Sequence, residues 1–451
     1  MKVTLPILSA VAYAITVDVN NKAAVKQITS VAAAKVASYY VPTGPGKTAD
    51  GKGCFPQHTV PNDPTSMTWY ECGLYWGTLM DYTKITADPQ YATTVVNAIT
   101  LASYGPVASF LGVDKNAAAM GGKWNDDIMW WALVPLTGAQ IYGQKQVMPG
   151  GSSYLQLAIN SYNDVWTDWS DECGGGIYWS RWRESPKENE RIYKSAITNA
   201  QHLLMGSVLY NITGNQTYLT NAKVMFDWIA KTIVLPDFMT VDGVNVNLTA
   251  TTCPKVGPKG EIDGVYTSES YISGTIAGAM ASLYAVSKNQ THLYYAEQIA
   301  LKALSLDQQN GIIADRCDPN CDTSEVTPKG AYIRGLGIIY QITQNQKLKD
   351  TIKSQIQKTA TAMLNTCDST MACNSASWSA PQILTPNIHI SINNLELLNT
   401  LSIIMDGVTD APAVPPTQPP PVAAADTTDT GSAAGKFALG GLLVALASII
   451  F

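Results

Sequence analysis

An all-α fold, a closed ring of six helical hairpins known as an (α/α)6 barrel, is what this 451-residue chain predicts. Apolar residues recur at helical spacing in about twelve segments, which pair naturally as hairpins. Five times an apolar helix runs into a tyrosine, breaks at polar turn residues and resumes as another helix, at tyrosine spacings of 60, 68, 74 and 56 residues. A repeat of that size is one supersecondary unit, here a hairpin with its loop. The two members of a pair also differ: the helix before the tyrosine is rich in Gly, Ala and Trp and poor in charge, while its partner is amphipathic.

In chain order the helices are expected at 22–40, 69–84, 89–103, 124–142, 152–169, 193–212, 216–233, 269–286, 291–305, 329–342, 347–365 and 388–405. Tyr82 precedes Lys84-Ile85-Thr86-Ala87-Asp88, and Tyr142 precedes Gly143. Tyr210 precedes Thr213-Gly214-Asn215, Tyr284 precedes Ser287-Lys288-Asn289, and Tyr340 precedes Thr343-Gln344-Asn345. Helices such as Gly274 to Tyr284 and Gly330 to Tyr340 suit an inner ring buried on most sides. Amphipathic ones such as Leu348 to Leu364 suit the outer wall.

The ends of the chain read differently from residues 15–407, which carry the helices. Met1-Lys2, the apolar run Leu5 to Val11 and the small-residue pattern Ala12-Tyr13-Ala14 predict a secretory signal peptide over 1–14. Residues 408–434 form a Pro/Ala/Thr/Asp-rich stalk with no periodic apolar face. Residues 435–451 end in a wholly apolar tail from Phe437, preceded by Gly431, Ser432, Ala433 and Ala434. That tail is short for a spanning helix, which needs roughly 20 residues, and it has the form of a glycosylphosphatidylinositol (GPI) attachment signal. A C-terminal transmembrane helix is the alternative.

Export agrees with the cysteines and sequons. The eight cysteines are an even set, and disulfides are expected. Cys317 with Cys321 and Cys367 with Cys373 would close short loops, Cys54 could reach Cys72, and Cys173 and Cys253 flank the middle of the chain. Spacing alone does not prove those pairings. Acceptor sequons begin at Asn211, Asn215, Asn247 and Asn289, each expected in a surface loop. Zinc is disfavoured because no cysteine pair has finger spacing matched to a second pair, and only His58, His202, His292 and His389 are available. No cofactor is expected, and the chain is expected to act as a monomer. A charged fraction of 14%, a net charge of -6 and a pI near 5.3 argue against a nucleic-acid partner.

The chemistry concentrates at Trp124-Asn125-Asp126-Asp127, followed by Ile128-Met129-Trp130-Trp131. Adjacent carboxylates could be no more than a helix start, with Asn125 as cap and the aspartates favoured by the helix dipole. They are also what glycosidic bond cleavage requires, one carboxyl as proton donor and a second as nucleophile. Two like charges in a partly dry cleft push their pKa values apart, and indole faces offer platforms for sugar C–H faces. Nine of the eleven tryptophans lie between Trp69 and Trp182. Trp76 and Trp228 are expected in the core, Trp124 and Trp179 in the cleft. A barrel of this kind places its cleft over the starts of the inner helices, where Trp69-Tyr70-Glu71, Tyr193-Lys194 and Glu269 to Tyr271 also fall. The loop Cys173-Gly174-Gly175-Gly176-Ile177-Tyr178-Trp179 leads to another such start.

These segments resemble, in order, those of fungal glycoside hydrolase family 76, the endo-acting α-1,6-mannanases, and within it the GPI-anchored cell-wall proteins of the Dcw/Dfg type. The carriers are Trp69-Tyr70-Glu71 before Gly73, the Asn125-Asp126-Asp127 box, Cys173 with Gly174-Gly175 and Trp179, Tyr193-Lys194 to Asn199, and Tyr218 after Thr213-Gly214-Asn215. The resemblance implies Asp126 as nucleophile and Asp127 as general acid/base of a retaining mechanism. It also implies sugar-binding roles for Trp69, Glu71, Trp124, Asn125, Trp179, Lys194 and Tyr271. Mannan or the mannose of a GPI glycan is the implied substrate, cut or transferred during wall assembly. Adjacent residues suit the ~5 to 5.5 Å carboxylate gap of retaining enzymes better than the ~6.5 to 9.5 Å inverting gap. One departure stands out: Ser270-Tyr271-Ile272-Ser273-Gly274 has an aliphatic Ile272 where relatives carry an amide. That replacement would alter subsite specificity or weaken turnover if position 272 faces the sugar; the alternative is that Ile272 packs inside an inner helix. A non-catalytic mannan-binding wall protein, or another barrel glycosidase such as a glucanase, remains open.

Overall fold

The computed structural model describes residues 15–56, 66–103, 109–110, 124–247, 252–257, 269–321 and 326–408. Its helices are α1 (Lys22–Ala37), α2 (Trp69–Thr86), α3 (Ala92–Ala102), α4 (Asn125–Tyr142), α5 (Tyr154–Trp166), the short α6 (Glu188–Ile192), α7 (Ala196–Thr213) and α8 (Gln216–Thr232). They continue with α9 (Ser270–Ser287), α10 (Gln290–Leu306), α11 (Lys329–Ile342), α12 (Gln346–Leu364) and α13 (Ile388–Asp406). Helices α2, α4, α7, α9, α11 and α13 each pack on the next, and α13 returns to α2, which closes an inner ring. The others lie outside it, α5 on α4, α8 on α7, α10 on α9 and α1 on α13. The expected (α/α)6 barrel is the observed one.

Burial follows from composition. On the outer helix α12 only one stripe is buried, including Leu348, Ile352, Ile356, Ala360 and Met363. On the inner helix α9 nearly every side chain from Ile272 to Leu283 is buried. Inner helices crowd closest where they carry glycine: a Cβ on Gly335 would sit 2.0 Å from the carbonyl oxygen of Gly274. Trp76, Trp131 and Trp378 are fully buried, and Trp228 is 3% exposed, so Trp76 and Trp228 are core residues as expected.

The recurrent turns share one construction. At α7–α8 the Thr213 hydroxyl accepts from the Asn215 N–H (3.2 Å) and the Asn215 side chain accepts from the Thr217 N–H (3.0 Å). At α9–α10 Ser287 and Asn289 repeat both bonds, and at α11–α12 Thr343 and Asn345 do so with Leu348 as the second donor. The side-chain oxygen thus satisfies N–H groups that helix starts leave unpaired. Tyr210 and Tyr284 accept from Gln216 and Gln290 at 3.2 Å, which ties each tyrosine to the helix after its turn.

The expected helix over 193–212 is corrected at its start. Tyr193–Ser195 is β1, the edge of an antiparallel sheet with β2 (Gly243–Asn245) and β3 (Lys255–Val256), and Tyr193 faces Asn245. Three residues are too few to show a strand period, and their partners are remote in sequence. A second hairpin pairs β4 (Gln308–Gln309) with β5 (Ile312–Ile313).

Four disulfides form: Cys54–Cys72, Cys173–Cys253, Cys317–Cys321 and Cys367–Cys373. Asn215 and Asn289 are exposed in turns, and Asn247 is exposed beyond β2, whereas Asn211 lies on the last turn of α7 rather than in a loop. The signal segment 1–14 and the stalk and tail from 409 onward lie outside the described residues. Among the described residues no helix is long and apolar enough to cross a membrane.

Candidate active site

Residues 177–180 fix the start of α4. The Asn125 N–H donates to the Trp179 carbonyl at 2.8 Å, and Trp124 forms an isolated antiparallel bridge with Ser180. The Asn125 side chain donates to the Tyr178 carbonyl (2.8 Å) and to Asp168 (3.1 Å). Arg181 holds that loop from beneath, bidentate to Asp164 at 2.7 and 3.1 Å. Asp126 and Asp127 therefore begin α4 on an immobilised turn, where free N–H groups and the helix dipole favour negative charge.

Burial dominates the electrostatics of Asp126 and pushes it up to about 7; a hydrogen bond from Trp179 and the backbone N–H groups of Asp126 and Asp127 oppose the rise, and the charge of Asp242 adds to it. One carboxylate oxygen of Asp126 is buried without a hydrogen-bond partner among the described residues. Asp127 is 8% exposed. The Tyr193 hydroxyl donates to Asp242, and burial followed by the charge of Asp242 raises both Tyr193 and Tyr271. Trp124 and Trp179 lie tilted against each other at 5.3 Å, and Tyr193 meets Trp179 edge-on at 5.9 Å. Carboxyls in different environments beside part-exposed aromatic faces suit acid-assisted cleavage of a neutral sugar bond.

Trp124, Asp126, Trp179 and Tyr271 share this site through those interactions and remain part-exposed. Three residues expected to touch sugar have other work. Asn125 is fully buried and spent on Tyr178 and Asp168. Lys194 has no exposed surface, and its ammonium donates to the carbonyls of Ser170 (3.0 Å), Glu172 (2.7 Å) and Gly175 (2.7 Å). Glu71, 1% exposed, accepts from the Thr68 N–H and the Thr327 hydroxyl, tying α2 to the segment before α11. Trp69 packs on Trp131 at 5.6 Å.

Of the two readings of Ile272, packing is the one the burial favours: it is fully buried in the core, so its side chain stands behind the site rather than in it. Sequence reasoning missed Asp242. It is an ordinary acid in a loop, and only the pairing of β1 with β2 brings it against Tyr193.

Residues 24–406 match the family described as Glycosyl hydrolase family 76. The chain belongs to that family. Among curated proteins it is similar to mannan endo-1,6-alpha-mannosidase DCW1 of Saccharomyces cerevisiae, 23% identical over 361 residues, 78% of this chain and 73% of that one. Among solved structures it resembles Dfg5 of Chaetomium thermophilum in complex with glucosamine, with a TM-score of 0.72, 19% identity, and 90% and 95% of the two chains covered. An inactive variant of the α-1,6-mannanase GH76A of Salegentibacter sp. HEL1_6 in complex with α-1,6-mannotriose superposes at a TM-score of 0.66, with 15% identity over 84% of this chain and 99% of that one. The family makes this barrel a glycosidase fold with its aspartate pair at the start of an inner helix.

Proposed function

We propose that the protein is a retaining endo-α-1,6-mannosidase of the fungal cell surface, acting on mannan or on the mannose of GPI glycans. Asp126 is the nucleophile and Asp127 the general acid/base. The observation that carries this reading is the aspartate pair in the first turn of α4, with an Asp126 oxygen that has no hydrogen-bond partner among the described residues, beside Trp179 and Asp242. In support, the curated relative from S. cerevisiae is named for this activity, and the inactive Salegentibacter variant replaces two adjacent aspartates by asparagine. Asp127 would protonate the leaving oxygen while Asp126 bonds to the anomeric carbon. Water, or a sugar hydroxyl in a transfer reaction, then displaces Asp126 with Asp127 as base. Trp124, Trp179 and Tyr271 would face the sugar, whereas Asn125, Lys194 and Glu71 would hold the walls. The signal segment and the GPI-type tail would deliver the barrel to the outer face of the plasma membrane or to the wall.

One observation favours exchanging the two roles. Burial raises Asp126 to about 7, which suits a proton donor at neutral pH, whereas a nucleophile must be ionised. Alanine variants of each aspartate, assayed with azide on an aryl α-1,6-mannobioside, separate the two. Each variant should lose ~10² to 10⁴ in rate or more. Azide should give a β-mannosyl azide from the nucleophile variant and an α-mannosyl azide from the acid/base variant. An α product from Asp126→Ala would reverse the assignment, and undiminished turnover by either variant would remove that residue from the chemistry. The ionised form of Asp126 is penalised by folding, so its burden on stability is absent below pH ~4 and complete above about 7. Asp126→Asn should accordingly raise the melting temperature at pH 8 and leave it unchanged at pH 4.

A further inference from the structure

At the base of the barrel, the end opposite the aspartates, helices α8, α10 and α12 cap their own first turns with Asn215, Asn289 and Asn345. Helix α9 starts at the cleft end without such a cap, since the side chain of Glu269 makes no capping bond. Neighbouring segments hold its first turn instead. The Ser270 hydroxyl donates to Asp315, in the loop between β5 and α11, and the Ser273 hydroxyl lies 3.1 Å from that of Thr240, two residues before Asp242. Between these two ties stands Tyr271, whose hydroxyl feels the charges of Asp242, Glu269 and Asp126.

Asp315 is itself fixed. Lys329, fully buried in the first turn of α11, has its ammonium 3.3 Å from Asp315 Oδ2 and donates to both oxygens of Asp318 at 3.1 and 3.0 Å. The Asp315 N–H donates to Asp318 at 2.9 Å, and the Cys317–Cys321 disulfide closes the loop. One Asp315 oxygen thus takes the Ser270 hydroxyl while the other faces the ammonium, so a single carboxylate ties α9 to α11. Hydrogen bonds to an ionised acceptor are about twice as strong as neutral ones. Further along, α9 has no slack: a Cβ on Gly274 would sit 2.5 Å from the Cα of Tyr332. Packing therefore sets the body of α9, and the two serine hydroxyls set the direction of its first turn. Ser270 is buried, so its hydroxyl has no access to sugar.

We propose that Asp315 is a positioning residue for the sugar site: held by Lys329, it fixes the Ser270 hydroxyl and so keeps the Tyr271 ring facing Asp126 and Asp242. The inference rests on the reading of Tyr271 as a sugar contact. Asp315 touches no sugar and acts only through the start of α9.

Crystal structures of Ser270→Ala and Asp315→Ala beside the wild type read this without substrate. The Tyr271 ring should move by about 1 Å or more, a misplacement able to cost ~10² in rate. On an aryl α-1,6-mannobioside each variant should accordingly lose ~10- to 100-fold in kcat/KM. In a Tyr271→Ala background the same changes should cost little further rate, although the melting temperature should fall as before. Asp315→Asn keeps an acceptor for Ser270 and should lose far less rate than Asp315→Ala. If Asp315→Ala fails to fold, Ser270→Ala decides, because it leaves Asp315 with Lys329. A Tyr271 ring that stays in place in the folded variants would overturn the proposal. So would equal losses of rate with and without the Tyr271 side chain, or a loss in Asp315→Asn as large as in Asp315→Ala, which would make the charge rather than the tie responsible. A wild type without turnover would instead remove the mannosidase reading, and the position of the Tyr271 ring would still decide this one.

Discussion

At the base of the barrel α7 passes into α8 through Gly214 and Asn215 alone, whereas at the cleft end α5 reaches α7 only through residues 167–195. The short turn satisfies its own polar groups: Thr213, Asn215 and Thr217 bond within five residues. The long passage depends on remote partners. Asn199 exchanges bonds with both backbone groups of Ile177, Lys194 reaches back to three carbonyls of the 170–175 loop, and β1 pairs with residues beyond α8. One end is therefore set by local chemistry and the other by tertiary contacts. That division separates framework from function, since loops placed by a rigid scaffold carry the site.

The largest departure from this comparison would come at Ile272, on the first turn of α9 at the cleft end yet fully buried. Ile272→Asn should destabilise the protein by roughly 3 to 5 kcal/mol, because it removes apolar packing and buries an amide without a designed partner. Thermal melting should show a large drop with no gain in activity on α-1,6-mannan. A faster enzyme at an unchanged melting temperature would return position 272 to the sugar site.

A smaller effect is expected at Lys194, which tests whether the cleft end depends on its distant ties. Lys194→Met keeps the length of the side chain and leaves the carbonyls of Ser170, Glu172 and Gly175 without their shared donor. Loss of buried hydrogen bonds to a charged donor costs ~1.5 to 3 kcal/mol each at most, and partial access of water to the 170–175 loop should bring the sum to about 2 to 3. Trp179 follows that loop and hydrogen-bonds Asp126, so kcat should fall with the melting temperature. A variant that lost stability but kept kcat would make the loop a passive wall.

Legibility in the sequence divides along the same line. All twelve long helices could be placed from apolar recurrence and turn residues, and the tyrosine turns marked one end of the ring. The aspartate pair was legible because both residues sit in one short box beside indoles. Lys194, Asn125 and Glu71 belong to the right neighbourhood, yet motif position does not tell whether a side chain faces the ligand or its own loop. Asp242 was illegible for a plainer reason. A single aspartate acquires meaning only when β2 carries it to Tyr193, and strands of three residues leave no periodic trace.

The smallest effect belongs to the base. Asn215→Ala removes the oxygen that accepts from the Thr217 N–H at the start of α8, and such a cap contributes about 0.5 to 2 kcal/mol. Gly214, at φ +69, already directs the chain through the turn, and the Thr213 hydroxyl still accepts from the N–H of residue 215. The loss should therefore fall near 1 kcal/mol, with no change in kcat or KM. The same substitution abolishes the sequon at 215, so the comparison has to be made on protein freed of N-glycans, where only the cap differs. Asn289→Ala should behave alike because it has the same construction in α9–α10. Agreement between the two would show that the turns of the base are interchangeable units. A rate effect from either would mean that the base communicates with the cleft along the inner helices, and the separation of the two ends would fail.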